Sequence, residues 1–152
     1  MKNNYGRFGL MVLTSTIIML ILMYFNTYRI DHIFFSETRF YMALVMGGVM
    51  AIIMLAFMQK MYTNKKVNLG IYMGSALLIA VSLFLVRSQA TVDDTSWMKA
   101  MIPHHSIAIL TSERANIEDP RVQKLADEII KAQRKEISEM KKLIKDLEEK
   151  ED

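Results

Sequence analysis

The fold class is decided by residues 40–58, which read FYMALVMGGVMAIIMLAFM and contain no charge. A helix needs about 20 mostly apolar residues to cross the hydrocarbon core of a bilayer. Residues 8–25 and 67–86 have the same character, and Arg87 closes the latter. A chain of 152 residues has little other mass with which to bury three such helices. The sequence therefore predicts an all-α protein with transmembrane helices at about 8–25, 40–58 and 67–86, within a membrane region of residues 1–90.

Methionine recurs at every fourth position of the central stretch: Met42, Met46, Met50, Met54 and Met58. At 3.6 residues per turn, this spacing predicts a slowly winding stripe on one side of the helix. Thioethers favour Cu(I), so a metal path is one interpretation. The interpretation we favour is a flexible apolar packing surface, because no ionisable residue lies within the spans to support a conduit. Gly47 and Gly48 predict close helix packing.

The positive charges predict the topology. Lys2 and Arg7 precede the first span, and Lys60, Lys65 and Lys66 lie between the second and third, against Arg29, Arg39 and Arg87 on the other side. Positive charge is retained in the cytoplasm, so the N-terminus is predicted to lie inside and the C-terminal part outside, in the periplasm or extracellular space. No small-residue cleavage pattern follows the first span, which is therefore predicted to be a retained anchor.

The C-terminal part, residues 91–152, is rich in charged residues of both signs. The chain has a net charge of +3, but acids are slightly in excess after Asp93 and no basic stripe with interleaved aromatics occurs, which argues against nucleic-acid binding. The chain has no Cys, so disulfides, thiolate zinc sites and Cys nucleophiles are excluded.

Two helices are predicted in this part. Asp93 to Ser96 offer N-cap oxygens for a first helix that reaches about Ala115 and either kinks or begins anew at Pro103. Asp119-Pro120 is a start signal for a second helix that ends near Glu148. The second helix has an apolar seam at 4-3 spacing: Ala126, Ile130, Gln133, Ile137, Met140, Ile144 and Leu147. Such a hairpin cannot enclose this broad face alone, so a second copy completing a four-helix bundle, or docking on another protein, is expected.

The first of these helices carries a Met/His constellation. Met98, Met101 and His105 share one face at i, i+3 and i+7, and His104 follows Met101 by three residues. Imidazole suits Cu and Zn, and thioether adds a preference for Cu(I). Equal spacing from the turn places Met101 and His105 near Ile129 and Gln133, and Met98 near Glu136 and Met140. Gln133 and Glu136 are then expected to orient the imidazoles or to bind the metal.

The alternative is that both histidines are core or interface residues hydrogen-bonded to Glu136 or Gln133. Catalytic patterns are missing: the sequence has no Glu-x-x-His pair, no His-Glu-x-x-His and no nucleophile elbow around Ser106. The sequence therefore predicts no enzyme, with a redox activity left open.

The polar part resembles the domain-of-unknown-function 305 family over about residues 94–148. The resemblance is carried by Met101-Ile102-Pro103-His104-His105, Asp119-Pro120-Arg121-Val122 and the pattern Gln133-x-x-Glu136-Ile137-x-x-Met140. It implies a bacterial protein with ferritin-like topology and an association with copper outside the cytoplasm. It also implies a site at the matching positions: Met101, His104, His105, Gln133, Glu136 and Met140. Many members have an acidic residue where this chain has Ser106.

These observations together predict a membrane-anchored extracytoplasmic protein that sequesters or transfers copper. His104, His105, Met101, Met98 and Met140 are the predicted ligands, with Glu136 and Gln133 as supporting or additional ligands. The predicted partners are the lipid bilayer, a second copy of the hairpin and a metal-handling membrane protein, with no nucleic acid. The alternative function is a structural module whose hairpin oligomerises or docks without metal.

Overall fold

A computed structural model describes residues 2–151 of the chain, with side chains for residues 4–150. Over that range the protein is all-helical and has no strand, which confirms the predicted class. The elements are α1 (Lys2–Leu22), a single 3-10 turn η1 (Ile30–His32), α2 (Glu37–Phe57), α3 (Lys65–Ser88), α4 (Asp94–Arg114) and α5 (Pro120–Glu151).

These elements fall into two compact units. The apolar unit contains α1, α2 and α3. The hairpin unit contains α4 and α5 together with the segment Tyr24–Glu37, which connects α1 to α2. The connecting segment, which lies within the predicted membrane region of residues 1–90, thus groups with the hairpin.

The apolar unit contains three helices that are long and apolar enough to cross a membrane, at Asn4–Leu22, Glu37–Phe57 and Lys65–Ser88. The second and third begin two or three residues before the predicted spans, and the first begins earlier and ends at Leu22. Asn64 caps α3, since its side-chain oxygen accepts hydrogen bonds from the backbone N–H groups of Lys66 and Val67. Many apolar side chains of these helices are exposed, as a lipid-facing surface requires.

Gly47 and Gly48 lie where α2 approaches its two neighbours. A Cβ at Gly47 would meet the side chain of Thr16 on α1. A Cβ at Gly48 would lie 2.8 Å from Ile79 Cγ1 and 3.3 Å from the carbonyl oxygen of Ser75, both on α3. The prediction of close packing at this pair is confirmed, because neither position has room for a side chain.

The hairpin helices begin at the predicted caps. The Asp93 carboxylate accepts a 2.7 Å hydrogen bond from Ser96 N, and the Asp119 carboxylate accepts one of 2.8 Å from Arg121 N. α4 continues through Pro103, which excludes the second of the two predicted alternatives, a new helix start at that proline. The helix is continuous although proline removes one backbone hydrogen-bond donor. Ile102 and Pro103 are both buried in the hairpin.

The hairpin core is formed by apolar side chains from both helices: Met98, Ile102 and Ile109 of α4, and Ile137, Met140 and Ile144 of α5. Every residue of the predicted α5 seam is buried or half-buried, so that seam is confirmed.

The pairing of the two helices differs from equal spacing about the turn. Equal spacing places His105 opposite Ile129, but His105 contacts Glu136. Glu136 lies about two helical turns further along α5 than Ile129. The difference arises at the link between the helices, because residues 115–119 are not helical. The first residues of α5, 120–125, are all exposed, so this end of α5 extends past the end of α4. The predicted proximity of Met98, Glu136 and Met140 is confirmed, since all three line one cavity.

The segment Tyr24–Glu37 packs on the hairpin. Tyr28 and Phe34 contact the hairpin core, and the backbone N–H of Tyr28 donates a 2.7 Å hydrogen bond to Ser106 Oγ on α4. The apolar face for which the sequence predicted an external partner is therefore covered in part by the chain itself. Val122, Leu125 and Leu143 on α5 remain exposed.

Candidate metal centre

The Met/His face of α4 lines a cavity of about 330 Å³ between the two hairpin helices. Helical spacing brings Met98, Met101 and His105 to one side of it, and the opposing turns of α5 supply Glu136 and Met140. Five of the residues singled out in the sequence therefore meet in one place. The remaining lining residues are Trp97, Glu139 and Leu143.

His105 is held at both ring nitrogens. Its Nδ1 lies 2.9 Å from the carbonyl oxygen of Met101, one turn earlier in α4. Its Nε2 lies 2.8 Å from Glu136 Oε2 on α5. The imidazole is largely buried, with 12% of its side chain exposed, whereas the Glu136 side chain is 50% exposed. The ring is therefore fixed in orientation by two contacts, one from each helix.

These contacts determine which nitrogen is available to a metal. The carbonyl oxygen of Met101 is an acceptor only, so Nδ1 carries a hydrogen, and a neutral ring then has its lone pair on Nε2. A histidine whose second nitrogen donates to a backbone carbonyl is the usual arrangement of a metal ligand. Nε2 is therefore the nitrogen that would hold a metal ion, on the side of the ring that faces Glu136.

Two predicted site residues do not line this cavity. His104 is exposed, and its ring stands edge-on to that of His105 with the centroids 6.2 Å apart. Gln133 is half-buried, and its side-chain oxygen is buried without a hydrogen-bond partner among the described residues. The cavity therefore places His105 and Glu136, rather than His104 and Gln133, beside the thioethers.

Glu139 is a cavity residue that the sequence analysis did not single out. Its position three residues after Glu136 is the signal that could have placed it on the same side. Between residues 4 and 150, no cluster of three or more His, Cys, Asp or Glu side chains is arranged to hold a metal ion. The donor groups that line this cavity are three thioethers, one imidazole and two carboxylates.

A second polar cluster, on the segment Tyr24–Glu37, was also missed. His32 is buried, and its Nδ1 lies 3.0 Å from Ser106 Oγ. Ser106 Oγ already accepts a hydrogen bond from Tyr28 N, so its hydroxyl hydrogen is free to be donated to His32 Nδ1. If the Ser106 hydroxyl donates to Nδ1, the His32 ring is neutral and carries its hydrogen on Nε2. No local sequence pattern around His32 predicts this contact.

Beside His32, one carboxylate is shared by two cations. The carboxylate of Asp31 contacts Lys141 Nζ at 2.7 Å and Arg29 Nε at 2.8 Å. The hydrogen bonds from Lys141 and then Arg29 hold the pKa of Asp31 far below its ordinary value. Burial lowers the pKa of His32; Lys141 and Arg29 lower it further, and Asp31 opposes them. The cluster therefore favours an ionised Asp31 and a neutral His32.

A cavity of about 440 Å³ lies beside this cluster, lined in part by Arg134 and Lys141. Each of its cations contacts a carboxylate: Arg134 pairs with Glu113, and Arg29 and Lys141 share Asp31. The Met/His cavity is the better candidate for ligand binding because it collects five of the residues singled out in the sequence.

Comparison with known proteins gives a family and one relative. The family described as domain of unknown function (DUF305) matches residues 85–152. An uncharacterized protein, L153, of Acanthamoeba polyphaga mimivirus is 36% identical over 107 residues, which cover 69% of this chain and 68% of that protein. That alignment is longer than the family match, so the similarity extends into the apolar half. No solved structure matches the chain.

Proposed function

This chain belongs to the DUF305 family, and on that premise we propose that it is a membrane-anchored protein that binds copper for sequestration or transfer. The binding site is the cavity between α4 and α5. His105, Met98, Met101 and Met140 are the ligands, and Glu136 is a charged neighbour that orients His105. No reaction is assigned to the site.

The proposal rests on a single observation: three thioethers and one largely buried imidazole line the same cavity. Thioether and imidazole donors together favour Cu(I) among the biological metal ions. Thioethers need no deprotonation, and they form no disulfides in an oxidising compartment.

The proposal includes a topology and a set of partners. Three helices that are long and apolar enough to cross a membrane support anchoring of the protein in a bilayer. The distribution of Lys and Arg supports a cytoplasmic N-terminus and an extracytoplasmic hairpin. Trp97 and Leu143 lie at the cavity and are 51% and 46% exposed, which supports closure of the site by a second copy or by a metal-handling membrane partner.

A pair of adjacent histidine variants tests the site. The full-length chain in detergent is titrated with Cu(I) under reducing conditions against a colorimetric Cu(I) chelator. We expect His105→Ala to weaken Cu(I) binding by at least about tenfold, since even the loss of a supporting residue has that effect at metal sites. His104→Ala is the matched control, because His104 does not line the cavity, and its affinity is expected to change less.

Equal Cu(I) affinities for the wild type and His105→Ala would overturn the proposal. Met101→Leu gives an independent check because leucine keeps the volume and apolar character of the side chain while removing the sulfur. We expect that variant to lose affinity without a change in thermal stability.

The alternative function is a structural module in which the hairpin docks on a partner without metal. The exposed apolar residues Val122 and Leu125 on α5 are the observation that favours it. This alternative predicts that copper leaves the melting temperature unchanged and that substitution of Val122 and Leu125 by Ser dissociates a complex.

A further inference from the structure

A groove between α1 and α2 of the apolar unit is lined largely by methionine. Its volume is about 720 Å³, and five of its ten lining residues are Met19, Met46, Met50, Met54 and Met58. Ser15 is its one polar residue, and no charged side chain lines it.

The groove differs from the stripe that the sequence predicted. Met42 belongs to the stripe but does not line the groove, and Met19 comes from a different helix. Met46, Met50 and Met54 of α2 follow one another at i, i+4 spacing, where neighbouring Cβ atoms lie about 6 Å apart, and Met58 lies one residue beyond the end of the helix. Methionine has three rotatable side-chain bonds, so sulfurs from adjacent turns can converge on one point. Met19 can add a donor from the opposite wall.

We propose that this groove is a second metal site, which binds a soft monovalent ion, Cu(I) or Ag(I), through two or three thioethers at a time. The proposal is separate from the hairpin site, since the two sites share no residue.

The donor chemistry selects the ion class. Thioethers favour soft ions over Mg²⁺, Ca²⁺ or Zn²⁺. They are also neutral, so the ion keeps its whole charge inside the apolar unit. The desolvation energy of an ion rises with the square of its charge, which penalises a divalent ion about four times as strongly as a monovalent one. Because no proton is displaced, binding in the groove is expected to be independent of pH.

The test is an Ag(I) titration of the full-length chain in detergent, because Ag(I) shares the thioether preference and is redox-inert under these conditions. All variants carry leucine at the three hairpin methionines, Met98, Met101 and Met140, together with His105→Ala, which removes the hairpin donors and keeps the two proposals distinguishable. We expect this background protein to bind Ag(I). Adding leucine at all five groove methionines, Met19, Met46, Met50, Met54 and Met58, is expected to weaken Ag(I) binding at least tenfold.

The matched control adds Met11→Leu, Met42→Leu and Met73→Leu instead, because these methionines are exposed and lie outside the groove. It is expected to bind Ag(I) as the background does. Leucine conserves volume at every position, and unchanged helicity and melting temperature verify folding. Equal Ag(I) affinity for the groove variant and the control variant overturns the proposal. So does a groove variant that keeps Ag(I) and instead loses self-association by light scattering, which identifies the groove as a helix contact.

Discussion

His32 and Ser106 are 74 residues apart in the sequence, yet His32 Nδ1 lies 3.0 Å from Ser106 Oγ. This contact joins the segment Tyr24–Glu37 to the helix that carries the Met/His face. Ser106 directly follows His105, so the residue that holds the segment and the residue that lines the metal cavity are neighbours in α4.

Ser106→Ala is expected to destabilise this contact. The substitution leaves Tyr28 N and His32 Nδ1 without their shared partner in a buried place, a loss worth about 1–3 kcal/mol. Hydrogen exchange of residues 24–37 in the full chain is the measurement, and faster exchange is expected. Ser138→Ala, at an exposed serine of α5, is the control. Unchanged protection in Ser106→Ala would show that the hydrogen bonds contribute nothing.

The same contact is expected to weaken in acid. Burial lowers the pKa of His32 below its ordinary value of about 6.5, so the released segment binds a proton more readily than the docked one. Stability is therefore fully present above about pH 6.5 and is lost as the pH falls towards the lowered pKa. Asp31 stays ionised in this window because Lys141 and Arg29 hold its pKa far lower.

Hydrogen exchange of residues 24–37 between pH 7.5 and 5, corrected for the intrinsic rate, measures this dependence. Protection is expected to fall with acid in the wild type and to stay flat in His32→Asn. A flat wild-type profile contradicts the assignment of a neutral His32.

Gly48→Ala is expected to lower the melting temperature of the apolar unit. The added Cβ would lie 2.8 Å from Ile79 Cγ1 and 3.3 Å from the Ser75 carbonyl oxygen, so α2 and α3 must move apart. Gly74→Ala is the matched control in α3, because nothing lies within 4 Å of its Cβ position. Equal melting temperatures for the two variants would argue against the close approach of these helices.

Ile109→Ala is expected to destabilise the hairpin by about 2–5 kcal/mol, because Ile109 is fully buried and the substitution leaves a cavity in the core. Val122→Ala, at an exposed position of α5, is expected to change stability by less than about 0.5 kcal/mol. Thermal unfolding followed by circular dichroism compares the two. A small loss for Ile109→Ala would indicate that the hairpin core is loosely packed.

Much of this architecture follows from local sequence. The three apolar stretches, the Asp93 and Asp119 caps and the seam of α5 depend on residues close in the chain, and each was predicted correctly. The pairing of α4 with α5 was misplaced because it depends on the non-helical link at residues 115–119, whose path no periodicity encodes.

The role of the segment Tyr24–Glu37 could not be predicted for a similar reason. Tyr28 and His32 lie in a short stretch without helical or strand periodicity, and their partners are distant in sequence. Within the candidate site, helical spacing correctly grouped Met98, Met101 and His105. It could not decide between His104 and His105, because adjacent residues on a helix point in directions about 100° apart and only the position of α5 selects one.

X-ray absorption at the copper edge of the Cu(I)-loaded full-length chain tests the hairpin site. The protein carries leucine at all five groove methionines, Met19, Met46, Met50, Met54 and Met58, so that no groove thioether contributes to the spectrum. We expect a first shell of thioether sulfur with one imidazole nitrogen, and loss of the imidazole signal in His105→Ala. A shell without sulfur, or an unchanged spectrum in His105→Ala, would contradict it.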